Sequence, residues 1–169
     1  MIALWLYFFF LLWLFYTRFL GAEYYFTTQK RVRKMLQMAK VGKKDVVYDL
    51  GCGDARIIIA SAKRCKKAVG IEIDPIRYLI SLIKIKLLKI KNAQIIFGNL
   101  FNQNLKDADV VFLFLRQWTN DSLKKKFEGE LKRGTRIVSH HWIFHGWKPI
   151  EEDRKLRLYS YVIGKSNKK

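Results

Sequence analysis

The stretch VVYDLGCGD, residues 46–54, decides the fold of this 169-residue chain. Residues 45–50 are mostly apolar and rich in β-branched side chains, a pattern typical of a buried strand. Gly51 and Gly53 follow, and glycine lets the backbone turn sharply and approach a ligand without a Cβ clash. Residues 54–65 then carry apolar side chains at helical spacing. The stretch therefore joins a strand to a helix, where an open α/β sheet has its ligand site.

A second stretch, GIEIDP at residues 70–75, ends the next predicted strand, residues 68–73. Glu72 stands 23 residues beyond Asp49, a separation that places a carboxylate to accept hydrogen bonds from the two hydroxyls of a ribose. If the glycines only allowed a tight turn between strand and helix, the position of Glu72 would have no explanation. The two stretches together predict a site for a nucleoside-containing cofactor.

The spacing around the glycines favours S-adenosylmethionine over a dinucleotide. A dinucleotide site requires a third glycine at the start of the helix, and this chain has Arg56 there. Asp49, two residues before the first glycine, would also repel a pyrophosphate. Because S-adenosylmethionine carries a positive sulfonium and a positive ammonium but no phosphate, the same carboxylate can help to bind it.

The rest of the chain alternates strands with helices. Such alternation predicts right-handed βαβ units and a parallel sheet with helices on both faces, the α/β class. Further strands are predicted at residues 94–97, 109–115, 135–140 and 157–163, and further helices at residues 29–40, 75–91 and 120–131.

The chain carries 33 Lys and Arg residues against 14 Asp and Glu residues, a net charge of +19. This excess indicates an anionic partner, either nucleic acid or a membrane surface with acidic lipids. The two cysteines, Cys52 and Cys65, are too few for a disulfide scaffold or a four-cysteine zinc site. The three histidines have no nearby cysteine or well-placed acid, so no metal site is predicted.

Residues 1–16 contain no charge, and the apolar run resumes at residues 19 and 20. Twenty helical residues span about 30 Å, the thickness of the hydrocarbon core, so this range is predicted to be a retained transmembrane anchor. A cleaved signal peptide and a buried helix are the alternatives. Basic residues between positions 30 and 34 predict a single-pass membrane protein with its domain on the cytoplasmic side. The predicted organisation is an anchor at 1–20, a pre-fold segment with a helix at 21–44, a domain at 45–165 and a basic tail at 166–169.

The two glycine-containing stretches resemble the first two motifs of class I S-adenosylmethionine-dependent methyltransferases. Three further stretches give a narrower resemblance, to the small archaeal and the membrane-anchored mitochondrial protein-lysine methyltransferases. They are GAEYYFT at 21–27, DADVVF at 107–112, and GTRIVSH at 134–140 followed by GWKP at 146–149. The resemblance covers roughly residues 21–163.

This resemblance implies a Rossmann-like, mostly parallel sheet whose last strand is antiparallel, with S-adenosylmethionine as the cofactor. It also implies contacts between the cofactor and nine residues: Tyr24, Thr27, Asp49, Gly51, Cys52, Gly53, Glu72, Asn99 and Leu100. Asn99 replaces the Asp that usually bonds the adenine amino group, and its carbonyl oxygen can still accept that bond. Ala55 replaces the family's third glycine, and Glu23 and Phe26 replace two prolines.

The expected substrate is a lysine amine of a membrane or membrane-associated protein, held near the bilayer that contains the anchor. Five residues are predicted to line the substrate channel: Arg116, Gln117, Ser139, His140 and Trp147. An RNA methyltransferase is the alternative that the positive charge keeps open. Trp118 could stack on a base, although a Trp beside a pocket more often packs. A module that binds the nucleoside without turnover is the second alternative.

Overall fold

The computed structural model describes residues 4, 5, 7, 8 and 27–167. Four helices lie in the long described range: α1 Gln29–Met38, α2 Arg56–Ala62, α3 Pro75–Leu87 and α4 Gln117–Glu130. Its strands are β1 Val46–Leu50, β2 Lys67–Glu72, β3 Ala93–Phe97, β4 Val110–Leu113, β5 Arg136–His140, β6 Glu151–Asp153 and β7 Leu158–Val162. Strand β6 is not predicted from sequence because its three residues are all acidic and none of them is buried.

The strands form one sheet in the order β3-β2-β1-β4-β5-β7-β6. Strands β1 to β5 run parallel to one another, while β7 runs antiparallel to β5 and β6 antiparallel to β7. This arrangement confirms the predicted mostly parallel sheet. The chain order reverses where β1 lies between β2 and β4, and the crevice beyond the carboxyl ends of these strands is the usual ligand site of such sheets.

Helices cover both faces of the sheet, as predicted. Alternate residues of β1 point to opposite sides, so that Val47 belongs to one buried cluster and Leu50 to the other. The first cluster includes side chains of α1, α2 and α3, and the second includes Leu123 and Phe127 of α4. These two layers fix the strand ends that surround the crevice.

The predicted membrane anchor requires a correction. Its range, residues 1–20, lies outside the described residues except at positions 4, 5, 7 and 8. Within the described part of the chain, no helix combines the length and the apolar character needed to cross a bilayer. On this finding the transmembrane helix in the predicted fold class, and the single-pass membrane location with a cytoplasmic domain, are wrong. The predicted boundaries of the remaining segments stay predictions.

Candidate functional site

A cavity of about 320 Å³ opens at the carboxyl ends of β1, β2 and β4, a volume in the range of small-ligand pockets. Its wall has two parts of different chemistry. The carboxylate half carries Asp49, Asp54 and Glu72 together with the glycine loop and the end of β3. The aromatic half consists of Phe114, Leu115, Arg116, Trp118, Thr119 and Trp142.

The glycine loop is held rigidly against β2. The backbone N–H groups of Gly51 and Cys52 both donate to the Ile71 carbonyl, at 2.9 and 3.0 Å. Gly51 and Gly53 have φ values of 81° and 57°, in the region that favours glycine. A Cβ on Gly70 would stand 2.7 Å from the Cys52 sulfur, so the close packing of loop and strand requires glycine there as well.

Ala55 occupies the same left-handed region, with φ 62°. It stands at the N-terminal end of α2, where the sequence resemblance expects glycine, and it is fully buried. An alanine in this conformation costs about 1–2 kcal/mol because its Cβ approaches the next carbonyl oxygen. The loop therefore keeps its shape at a cost in backbone strain.

Glu72 connects the glycine loop to the start of α3. Its Oε2 accepts from the Gly53 N–H at 2.7 Å, and its Oε1 accepts from Ile73 and Asp74 N–H at 3.0 Å each. An ionised carboxylate has about four acceptor positions. These three bonds leave about one position unused on a buried side chain that lines the cavity.

Asp49 is the most perturbed acid in the cavity wall. Burial, followed by the negative charges of Glu72 and Asp54, raises the pKa of Asp49 from 3.8 to about 8. A buried carboxylate of this kind favours a positively charged ligand, because a cation would restore its ionised form. The residues present therefore fit S-adenosylmethionine, as the sequence predicted.

The pre-fold segment meets the glycine loop through Arg56. Its guanidinium binds both carboxylate oxygens of Asp54, at 2.7 and 2.9 Å, and donates to the Thr27 carbonyl at 2.7 Å. Thr27 is buried and lines the cavity. Tyr24, the other cofactor residue predicted in this segment, lies outside the described residues.

Asn99 and Leu100 line the cavity beyond β3. The Asn99 Oδ1 accepts from the Phe101 N–H at 2.9 Å and so caps a short 3₁₀ turn, Leu100–Asn102. The oxygen expected to accept from adenine therefore already accepts one hydrogen bond, and it keeps one further lone pair. Eight of the nine predicted cofactor residues thus line this one cavity, and the ninth is Tyr24.

Among the predicted substrate-channel residues, only Arg116 lines the cavity. Gln117 Nε2 donates to the Ile143 carbonyl at 2.8 Å and to Asp121 at 3.0 Å. The buried Ser139 hydroxyl donates to the Trp142 carbonyl at 2.5 Å. Both side chains thus hold the loop that follows β5.

His140 and Trp147 do not line the cavity either. The His140 ring packs on Phe114 with a centroid distance of 3.9 Å, and Phe114 itself lines the cavity. Burial, Arg31 and His141 lower the pKa of His140 to about 4, so its ring is neutral at physiological pH. Trp147 stacks on Phe144 at a centroid distance of 5.0 Å, in the cluster on the α4 side of the sheet.

Sequence reasoning missed four residues of the aromatic half as candidates: Phe114, Leu115, Thr119 and Trp142. Phe114 directly follows β4, and Trp142 stands two residues after β5. Because ligands bind beyond the carboxyl ends of parallel strands, this position could have indicated both. Trp118, weighed from sequence mainly as a packing residue, lines the cavity and is 53% exposed.

The family model described as the ANTKMT methyltransferase domain matches residues 49–151, more than half of the chain. The chain belongs to this family. It is 47% identical to a protein-lysine N-methyltransferase of Saccharolobus islandicus, over 82% of this chain and 91% of that protein. It is also 28% identical to the mouse adenine nucleotide translocase lysine N-methyltransferase, over 78% of this chain and 58% of the mouse protein.

A solved structure of this methyltransferase fold carries the cofactor product. It is described as an RNA methyltransferase from Salinibacter ruber in complex with S-adenosyl-L-homocysteine. The two chains are 33% identical and superpose with a TM-score of 0.79 over 82% of this chain and 94% of that one. The family, its enzymatic character and its cofactor, S-adenosylmethionine, are therefore confirmed as predicted. The family is that of protein-lysine N-methyltransferases.

Proposed function

We propose that this protein-lysine methyltransferase binds S-adenosylmethionine in the carboxylate half of the cavity and methylates the Nζ atom of a protein lysine that enters through the aromatic half. The observation that carries this proposal is the division of the cavity wall. All three acids lie in one half, where Arg56 pairs with Asp54 and Arg77 pairs with Asp74. The other half has Arg116 as its charged residue. A cationic cofactor and a lysine aliphatic chain therefore each meet the surface that suits them.

In the carboxylate half, each residue has a distinct task. Glu72 offers its remaining acceptor position to a ribose hydroxyl, while its three backbone bonds hold it in place. Gly51 and Gly53 let the backbone approach the ligand, with Cys52 between them packed on Gly70. Asp49 attracts the positive charge, Thr27 covers the ligand, and Asn99 with Leu100 borders the adenine.

In the aromatic half, Phe114, Trp118 and Trp142 supply apolar walls for the four methylene groups of lysine. Within the described residues, the lining of this half contains no carboxylate that would stabilise the charged ammonium form of the substrate lysine. The positive charge of Arg116 disfavours that form. Deprotonating a lysine with a reference pKa near 10.4 costs about 4–5 kcal/mol at pH 7, and this environment lowers that cost.

Bound S-adenosylmethionine supplies a methyl group on a positively charged sulfur that leaves as a neutral thioether. The chain's task is to align the neutral Nζ with that methyl group and to exclude water. The Nζ proton goes to solvent, so no dedicated base is required. His140 is not placed for that task, because Phe114 separates it from the cavity.

RNA is the second candidate substrate. It is favoured by the similarity to the Salinibacter ruber protein, by the net charge of +19, and by the half-exposed Trp118 on which a base could stack. Methylation of protein is preferred because the Saccharolobus relative is more similar in sequence and is described as acting on lysine.

The experiment that tests the proposal incubates the protein with methyl-labelled S-adenosylmethionine, a short lysine peptide and purified RNA. We expect label in the peptide, located on Nζ by mass spectrometry, and none in the matched peptide with arginine in place of lysine. Label in RNA alone would replace lysine with the second candidate. If calorimetry shows that the cofactor binds but neither the peptide nor the RNA becomes labelled, methylation of both substrates is contradicted.

A further inference from the structure

Helix α3 is apolar on the side that faces away from the sheet. Ile76, Leu79, Ile80, Ile83 and Leu87, named here the α3 stripe, are each between 41% and 76% exposed. Successive helical residues are rotated by about 100°, which places all five within one sector of about 100°. The core residues of α3, Ser81 and Ile85, point in the opposite direction. Amphipathic surface helices normally carry polar residues where this stripe lies.

The surroundings of the stripe are positively charged. The chain has no Asp or Glu from residue 75 to residue 106, whereas Arg77, Lys84, Lys86, Lys89 and Lys91 all lie in that range. Lys84 forms an ion pair with Asp54 at 2.6 Å, while Lys86 borders the stripe on the other side. The stripe therefore combines an apolar centre with a basic margin.

This composition identifies the kind of partner. Protein interfaces are enriched in aromatic residues, Met and Arg, and depleted in Lys, whereas the stripe consists of Ile and Leu with Lys beside it. A second copy of this chain would bring two strongly positive molecules together. Aliphatic residues with lysine at the margin are typical of helices that lie in the interface of an anionic bilayer, since the lysine ammonium groups reach the headgroups.

We propose that α3 docks flat on an anionic lipid surface, with the α3 stripe in the outer acyl region and the lysines among the headgroups. The helix rises about 1.5 Å per residue, so its 13 residues offer a contact about 20 Å long without crossing the bilayer. Each basic residue near such a surface contributes about 1 kcal/mol. This inference does not rest on methyl transfer, because none of the five stripe residues lines the cavity.

A local probe on the full chain tests this docking. Leu79→Cys is labelled with an environment-sensitive fluorophore, which is selective because the native Cys52 and Cys65 are buried. Ile150→Cys is the matched control, since Ile150 is 55% exposed and precedes β6, at the sheet edge opposite β3. Vesicles contain phosphatidylcholine, either alone or with phosphatidylserine.

We expect a blue shift of the Leu79 probe with phosphatidylserine vesicles, a weak response with phosphatidylcholine alone, and little response of the Ile150 probe. Adding Ile80→Asp and Ile83→Asp to the Leu79 probe should abolish the shift while cofactor binding persists. Lys86→Gln should weaken vesicle affinity about fivefold.

Four outcomes would overturn the proposal. The first is an unchanged Leu79 probe, and the second is an equal response of both probes, which would indicate attachment elsewhere on the chain. The third is a blue shift in buffer without vesicles that grows with protein concentration, which would show that the stripe binds a second copy of the chain. The fourth is a concentration-independent blue shift in buffer, which would assign it to another segment of the same chain.

Discussion

The carboxylate half and the aromatic half of the cavity are built in different ways. Most of the carboxylate half comes from residues 49–77, which belong to β1, β2, the turns that follow them and the first turns of α2 and α3. Hydrogen bonds from backbone N–H groups hold its central acid. The aromatic half joins the end of β4, the start of α4 and the loop after β5, and ring packing holds it. The first half is thus a local motif and the second a product of the assembled fold, which the following substitutions test.

Glu72→Ala gives the largest expected effect. It removes the acceptor for ribose and releases the N–H groups of Gly53, Ile73 and Asp74. Hydrogen bonds to a charged group contribute about 1.5–3 kcal/mol each, so we expect cofactor affinity to fall about 100- to 1000-fold. Isothermal titration calorimetry measures this change. Glu128→Ala, on an exposed position of α4, is the matched control, and equal affinities of the two variants would remove Glu72 from the site.

Asp49→Asn should lower cofactor affinity about 30-fold at pH 8, because the cofactor's positive charge loses its buried partner. Since the pKa of Asp49 is about 8 without the cofactor, binding to the unmodified protein must release a proton at neutral pH. The affinity of the unmodified protein for the cofactor should therefore rise with pH between 6 and 8 and level off above pH 8. The affinity of the Asn variant should depend less on pH. Parallel profiles would contradict the role of Asp49.

The same substitution should stabilise the protein without cofactor. The folded state holds the pKa of Asp49 at about 8, against 3.8 as its ordinary value, so the retained proton stabilises the fold fully below about pH 4. That contribution is lost as the pH rises through 8. We expect the Tm of the Asn variant to exceed that of the parent by about 5 °C at pH 8, and the difference to shrink towards pH 5 in scanning calorimetry.

Trp142→Ala and Trp147→Ala form a matched pair for the aromatic half. Trp142 lines the cavity, so its loss should lower kcat/KM for a lysine peptide about tenfold while cofactor affinity stays the same. Trp147 packs on Phe144, so its loss should cost about 2 kcal/mol of stability and leave kcat/KM of the folded enzyme nearly unchanged. Steady-state kinetics and thermal melts separate the two, and a reversed pattern would place the substrate elsewhere.

Ala55→Gly gives the smallest expected effect, a gain. Relief of the left-handed strain should raise stability by about 1 kcal/mol, or the Tm by about 2–4 °C. Ala60→Gly, within α2, is the control and should lower stability by a similar amount because glycine is a poor helix former. A loss at both positions would contradict strain at Ala55.

The sequence by itself predicted the α/β class and several residues that line the carboxylate half. The apolar patterns predicted the order of strands and helices along the chain. Gly51, Gly53 and Glu72 were predicted because glycine and a carboxylate have specific conformational and chemical uses at the end of a strand, and all three line the cavity. Strand β6 was not predicted from sequence because it has no apolar pattern, and only its pairing with β7 makes it a strand. The membrane-spanning helix was predicted from hydropathy alone, and no described helix supports it.

Only the tertiary structure decided which aromatic side chains reach the cavity. His140 and Trp142 are two residues apart, yet His140 lies behind Phe114 while Trp142 lines the cavity. His141 between them has φ 73°, and this turn of the backbone redirects the chain after β5. Local sequence patterns do not specify such a turn, because it depends on contacts with α4 and with Arg157, just before β7, that are distant in the chain. For the same reason the α3 stripe was not distinguishable from core residues, since an apolar helix shows which sides it covers only when it is packed on its sheet.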